Sequence, residues 1–295
     1  VWRAAALEGP AERVVALKLP LLARDTSAAR FAREAEILSR LSHPNIAHLL
    51  DAGDADTPNG PTPYIALEWI DGAPLLDWCQ AQGLGTRARL ALYLQVLDAV
   101  AHAHALLVLH RDLKPSNVLV DGRGQVKLLD FGIAKLLGDS ARADATELTQ
   151  AAGRVMTTAY AAPEQLRGQT LTPATDVYAL GVLLFELLTG QRPYRHTLKT
   201  PAQLELAIAA GDLRRPGELR RELRGDIDAI VGRATQLDPA ARYPGPQALA
   251  DDLRRHLEGR PVQARPDTLA YVATRLVRRH RVATAGAAAT LAALL

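Results

Sequence analysis

Between His110 and Gly132 the chain reads HRDLKPSNVLVDGRGQVKLLDFG. His, Arg, Asp, Lys, Asn and Asp crowd around two short apolar runs, Val118–Val120 and Val126–Leu129. Asp121-Gly122-Arg123-Gly124 separates the runs and is a turn signal, so the segment predicts a β-hairpin. In an antiparallel pair the start of one strand lies beside the end of the other. Asn117, just before the first run, is therefore expected next to Asp130, just after the second. Asp112 and Lys114 lie in the loop leading in. Two oxygen ligands, a further carboxylate and an ammonium then share one corner. Carboxylate and carboxamide oxygens suit a hard cation such as Mg²⁺, which keeps waters and phosphate oxygens as its other ligands. A polar hairpin with solvated ends explains any one of these residues, but poorly explains all of them at this spacing.

A second constellation is independent of the first. On the predicted helix Thr26–Leu41, Phe31, Leu38 and Leu41 share a face at helical spacing, and Glu34 falls in its middle. Glu36 falls on the opposite side. A glutamate among core positions needs a cation, because an unpaired buried carboxylate is costly. Lys18, set among Val, Ala and Leu in VVALKLP, poses the same question with the opposite sign. Pairing Lys18 with Glu34 answers both. The bland alternative has Lys18 reaching outward along its stem and Glu34 solvated.

The elements that must hold these groups follow from the rest of the pattern. Glu12–Pro20 and Pro63–Ile70 read as strands. Thr26–Leu41 reads as a helix with Thr or Ser as its N-cap, stopped by His43-Pro44-Asn45. A long helix starts near Thr86, with apolar residues at Leu90, Leu94, Leu97 and Ala101. Thr175–Gly190 is apolar nearly all round and should be buried, with Gly190 and Pro193 as stop signals. A strand-rich front thus precedes a helix-rich back, which is an α+β arrangement in two unequal lobes. The 295 residues are 48% apolar, enough for a sizeable core. The single cysteine, Cys79, excludes an internal disulfide and fits a reducing compartment. Net charge is only +3 and the basic excess sits late, in Arg275–Arg281, so nucleic acid is not an expected partner. His102 and His104, two apart on a helix, do not share a face and make a poor metal pair.

The motifs, taken in order, resemble those of the protein kinase superfamily, specifically the bacterial members of the eukaryotic-type Ser/Thr kinases. Val15-Ala16-Leu17-Lys18 matches the family's strand motif, and His110-Arg111-Asp112-Leu113 with Asn117 its catalytic loop. Asp130-Phe131-Gly132 and Ala162-Pro163-Glu164 complete the set. The resemblance runs from about Val1 to about Glu258. It implies a two-lobed kinase fold and transfer of the ATP γ-phosphate to Ser/Thr hydroxyls of protein substrates. It implies ATP and Mg²⁺, with Mn²⁺ as an alternative ion. By the same resemblance Lys18, oriented by Glu34, would hold the α- and β-phosphates, and Asp130 and Asn117 would bind metal. Asp112 would take the proton of the attacking hydroxyl, and Lys114 would contact the transferring phosphate. Adenine would lie between Ala16 and Leu119, its edge on the backbone of Glu68, Trp69 and Ile70, with Leu67 at the back.

Further expectations follow from the same likeness. Asp176 would tie down the backbone near His110, although a helix-start carboxylate favoured by the macrodipole explains it equally well. Glu164 would pair with Arg242, which alternatively is a surface arginine. Asp130–Glu164 resembles an activation segment holding Ser140, Thr146, Thr149, Thr157 and Thr158. A phosphate on Thr146 or Thr149 would order it through Arg111, and self-association for autophosphorylation belongs to the same picture. Thr158 stands where the family often has Pro. The Gly-rich phosphate loop is expected before Val1, Gly9 standing alone, which reads as a piece of a longer protein. The expected divisions are residues 1–70 for the N-lobe, 71–260 for the C-lobe, 261–281 for a basic juxtamembrane segment and 282–295 for the start of a membrane helix. That last run is too short to span by itself, but Arg275–Arg281 precedes it as basic residues do on the cytoplasmic side of spans. The kinase domain of a single-pass membrane protein, facing the cytoplasm, is the expectation; an Ala-rich soluble helix is the alternative. Two rival functions are a pseudokinase scaffold, opposed by the intact Lys18, Asp112, Asn117 and Asp130, and a small-molecule phosphotransferase, which tends to carry His-Gly-Asp in place of His110-Arg111-Asp112.

Overall fold

The computed structural model describes residues 1–6, 13–19, 25–57, 60–131, 159–194, 200–266, 268, 269, 271, 273 and 275. Four strands form the front: β1 (Trp2–Ala6), β2 (Arg13–Lys18), β3 (Leu49–Thr57) and β4 (Gly60–Glu68). They pair antiparallel in the order β1-β2-β4-β3, with Ala16 opposite Leu67 and Lys18 opposite Ile65. The helix α1 (Asp25–Arg40) packs against β3 and β4. It begins one residue earlier than the sequence implied, so Thr26 and Ser27 lie in its first turn and do not precede it. Its inner face buries Glu34, Ile37 and Leu38, while exposed Glu36 bridges Arg33 and Arg40 at 2.6 Å each. On the β4 side of the β3–β4 hairpin, Gly60 has φ +96, a left-handed conformation that favours glycine.

A second, three-stranded sheet sits below the first. Its strands are β5 (Gly72–Pro74), β6 (Val118–Asp121) and β7 (Val126–Leu128), in that order. The predicted hairpin is β6–β7, antiparallel with Val118 opposite Leu128. Asp121 closes its turn by accepting from the N–H groups of Arg123 and Gln125, both at 2.9 Å. The pleat sorts the side chains: Val118, Val120, Val126 and Leu128 are fully buried on one face, while Leu119 and Lys127 lie on the other. The two sheets are tied through the loop after α1. Leu128 N–H donates to the Asn45 carbonyl at 2.8 Å, and Ala47 N–H to the Leu128 carbonyl at 2.9 Å. The Asn45 side chain adds bonds to Gln95 and to the Val126 carbonyl.

The back is helical. Its helices are α2 (Leu75–Ala81), α3 (Thr86–Ala105), α4 (Pro163–Leu166), α5 (Pro173–Thr189), α6 (Pro201–Ala210), α7 (Pro216–Leu219), α8 (Asp226–Ala234) and α9 (Pro246–Leu257). As its composition implied, α5 is buried on nearly every side and ends on Gly190 at φ +73. Gly181 lets α8 approach, since a Cβ there would lie 2.8 Å from that of Ala234. Arg242 is no surface arginine. It is fully buried and grips Glu164 with two bonds of 2.7 and 2.8 Å, fixing α4 against the α8–α9 connection.

Past α9 the chain folds back on the C-lobe. The N–H groups of Gln263 and Ala264 donate to Asp252, and Val262 N–H to the Tyr271 hydroxyl. Buried Asp226, at the start of α8, accepts from the Tyr271 hydroxyl and faces His256, Arg265 and Arg275. Up to Arg275, the described part of 261–281 is thus packed onto the C-lobe. Residues 282–295 and the candidate acceptors Ser140, Thr146, Thr149, Thr157 and Thr158 lie outside the described residues, as do Gly9 and Gly132. Among the described residues, no helix is long and apolar enough to cross a membrane.

Candidate active site

The loop that leads from His110 to Asn117 is held by a carboxylate from the buried helix. Asp176 accepts from the backbone N–H of His110 at 2.8 Å and of Arg111 at 2.9 Å, and bonds the His104 ring at 2.7 Å. It is more than a dipole-favoured helix start. Burial works against its charge, yet the bonds from His104 and the Arg111 N–H hold its carboxyl below the usual range. Arg111 is fixed in a left-handed conformation at φ +64, and its carbonyl accepts from the Gln165 side chain at 2.8 Å. A non-glycine residue there is strained, so the backbone must be over-determined by such bonds. The buried His110 ring packs on Phe131 with centroids 4.6 Å apart. Burial lowers its pKa, so it is neutral, with Nε2–H donating to the Leu129 carbonyl at 3.0 Å.

This scaffold presents Asp112 together with its neighbours. Lys114 Nζ lies 2.7 Å from Asp112 Oδ2. The Asn117 amide N–H donates to the Asp112 carbonyl at 2.8 Å and to Oδ2 at 3.2 Å. Asn117 closes a short 3-10 turn, Pro115–Asn117, from which β6 departs. The expected closure of the hairpin's open end is present: Leu129 N–H donates to the Asn117 carbonyl at 2.8 Å. Asp130 follows at once, again left-handed at φ +40.

Across from this corner stand Lys18 and Glu34. Lys18 Nζ lies 2.6 Å from Glu34 Oε1 and 3.4 Å from Asp130 Oδ1. Glu34 is nearly inaccessible, so the outward-pointing alternative fails. Burial disfavours the Lys18 charge, but Asp130 and Glu34 outweigh it and raise the pKa. One ammonium thus joins the front sheet, α1 and the end of the hairpin. Ala16 and Leu67 are cross-strand partners in the upper sheet; Leu119 lies on the outward face of the lower one. Glu68, Trp69 and Ile70 run between the two sheets, Trp69 partly exposed with Arg3 over its ring.

The donor set fits a hard cation. Asn117 directs its NH₂ at Asp112, leaving the carboxamide oxygen, and the Asp130 carboxylate is 40% exposed despite its contact with Lys18. Among the described residues no cluster of three or more His, Cys, Asp or Glu has metal-binding geometry; two protein ligands are instead what a cation shared with phosphate oxygens requires. Sequence reasoning missed His104, Asn45 and Lys127 as supports. A cavity of about 680 Å³ lies elsewhere in the C-lobe, lined by residues such as Phe185, Arg214, Asp228 and Arg265, and contains none of these groups.

A family model described as protein kinase domain matches residues 5–253. The chain is 36% identical over 245 residues to the serine/threonine-protein kinase PknB of Mycobacterium tuberculosis, covering 82% of this chain and 38% of the relative. It is 35% identical over 245 residues to a probable serine/threonine-protein kinase of Streptomyces coelicolor, covering 82% and 36%. It is 34% identical over 228 residues to the serine/threonine-protein kinase PrkC of Bacillus subtilis, covering 76% and 33%. The chain spans less than two fifths of the length of these relatives. A two-lobed α+β frame, the Lys18–Glu34–Asp130 bridge and the loop around Asp112 agree with that match, and the chain belongs to the protein kinase family.

Proposed function

We propose that the chain transfers the ATP γ-phosphate to Ser or Thr hydroxyls of protein substrates. The observation that carries the reading is the opposition of Asp112, with Lys114 and Asn117 around it, to the Lys18–Glu34–Asp130 bridge. Phosphoryl transfer leaves the protein little covalent work, so positioning and charge stabilisation dominate. Lys18, kept cationic and aimed by Glu34, holds the α- and β-phosphates. The acceptor hydroxyl hydrogen-bonds to Asp112, which takes its proton as the O–P bond forms and the bond to the β-phosphate oxygen breaks. A base of this kind is worth about 10²–10⁴ in rate. Lys114 offers its charge to the transferring phosphate. Asp130 and the Asn117 oxygen would hold Mg²⁺, which would supply neutralising charge to the phosphates. Ala16 and Leu119 flank the adenine, its edge on the backbone of Glu68, Trp69 and Ile70, with Leu67 behind.

Lys114, two residues after the base, favours Ser/Thr acceptors, since it resembles the Ser/Thr members of the family. Membrane anchorage through 282–295, cytoplasmic orientation, self-association and the division at residue 70 belong to the same proposal. Labelled Mg-ATP with a generic protein substrate tests the chemistry. The expected product is phosphoserine and phosphothreonine on the substrate. Phosphotyrosine alone, or label on a small molecule but not on protein, contradicts it.

A further inference from the structure

Lys127 takes no part in the chemistry proposed above. It lies on β7 directly opposite Leu119 on β6, and cross-strand partners share a face. The alternate positions, Val126 and Leu128, are fully buried in the C-lobe core. Lys127 thus stands beside Leu119 on the face turned away from that core. Its ammonium reaches Glu68 Oε2 at 2.8 Å, with the lysine side chain 13% exposed. Glu68 is the last residue of β4, so this ion pair joins the upper sheet to the lower one. The same Glu68 oxygen lies 3.3 Å from the His48 N–H, and Glu68 N–H donates to the His48 carbonyl at 2.8 Å. Glu68 is thereby held at backbone and at side chain, on the strip where the adenine edge is read.

We infer that Lys127 is a positioning residue for the nucleotide: through Glu68 it fixes the connecting strip 68–70 in register with Leu119. The inference rests on the adenine placement proposed above. Exposed ion pairs gain little, but this lysine is mostly screened from water, so its partner is held more firmly than a surface pair would hold it. Losing it frees the strip, and the penalty falls on nucleotide binding, while Asp112 is unaffected because Asp176 anchors the preceding backbone at His110 and Arg111 independently of Lys127.

The test compares wild type with Lys127→Met, Lys127→Arg, Glu68→Gln and the Lys127→Met/Glu68→Gln double variant in the full chain, reading KM for ATP and kcat. Removing one such pair is expected to raise KM about 3–10-fold, the range of a charge-assisted bond partly screened by solvent, with kcat within about twofold. Lys127→Arg should restore KM, and the double variant should be no worse than either single one. Glu68→Gln removes the charge of the same pair from the other side with little change of shape, and serves if Lys127→Met does not fold. An unchanged KM in Lys127→Met and Glu68→Gln, a fall in kcat at constant KM, or additive effects in the double variant would overturn the inference. Asp112→Asn, run alongside, separates the two levels: if it keeps full turnover, the underlying assignment of the base fails, whatever Lys127 does.

Discussion

Replacing Asp176 by Asn changes one oxygen to NH₂ and little in shape, yet should both destabilise and inactivate the chain. Asp176 Oδ2 accepts from the His110 N–H and the His104 ring, and Oδ1 from the Arg111 N–H. An amide keeps one acceptor and points two hydrogens at whichever donor it abandons. In the cheaper orientation the Arg111 N–H is orphaned, and the remaining bonds lose their charge assistance. A buried unsatisfied donor costs about 1–3 kcal/mol, and the gap between a charged and a neutral bond adds about 1 more. A loss of roughly 2–4 kcal/mol is a large share of the about 5–15 kcal/mol of a typical domain. At about 2–4 °C per kcal/mol for a domain of this size, Tm should fall by at least about 4 °C. Arg111 sits at φ +64 only because its neighbours impose it. Once its N–H is released, Asp112 shifts, and a displacement near 1 Å costs on the order of 10²-fold in rate. Urea unfolding gives the first number and ATP turnover below the midpoint the second. Stability within about 0.5 kcal/mol of wild type, with unchanged turnover, would refute the argument that Asp176 holds the loop.

Two further outcomes concern the C-lobe. Glu164→Gln leaves the fully buried Arg242 guanidinium without its carboxylate and should cost about 3–5 kcal/mol, while Glu164→Leu with Arg242→Met should cost less, because no orphaned charge remains; denaturant midpoints decide. Acid should destabilise the chain in a defined window. Burial raises the Asp226 carboxyl, but His256, Arg275 and Arg265 together take it well below its ordinary 3.8, and Glu164 and Asp176 are lowered too. A depressed native pKa gives stability that is present above the unfolded value and lost as pH falls through the native one. Stability measured by urea titration should therefore decline steadily below about pH 4, and Asp226→Asn should flatten that decline. A slope unaltered by Asp226→Asn would contradict the assignment.

The hairpin was legible because period-two alternation and a turn signal coincide at Asp121–Gly124, and pairing then sets Asn117 beside Leu129, the residue before Asp130. Lys18 and Glu34 were legible because each is anomalous among apolar neighbours, and the two anomalies cancel. The buried α5 announced itself by having no polar face. The supports were harder to see. His104 looked like half of a poor metal pair, since nothing local says that its ring meets Asp176 from another helix. Lys127 drew no attention, since nothing in its own strand says that its ammonium meets Glu68 from the other sheet. The strand β3 passed unnoticed because LLDAGDADT carries three aspartates, and tertiary pairing with β4 overrode that poor propensity. The Asn59-Gly60 pair was the available signal for it. Arg242 and Glu164 lie 78 residues apart, and only folding reveals their burial.

The assignment of Asp112 as the base facing a Lys18-held nucleotide is tested most directly by single-turnover transfer from saturating Mg-ATP in wild type and Asp112→Asn. Asparagine keeps the shape and the bonding geometry around Lys114 and Asn117 but cannot take the proton. The chemical step should slow by about 10²–10⁴ while the affinity for Mg-ATP stays within a few fold. A chemical step as fast as that of wild type would contradict the account.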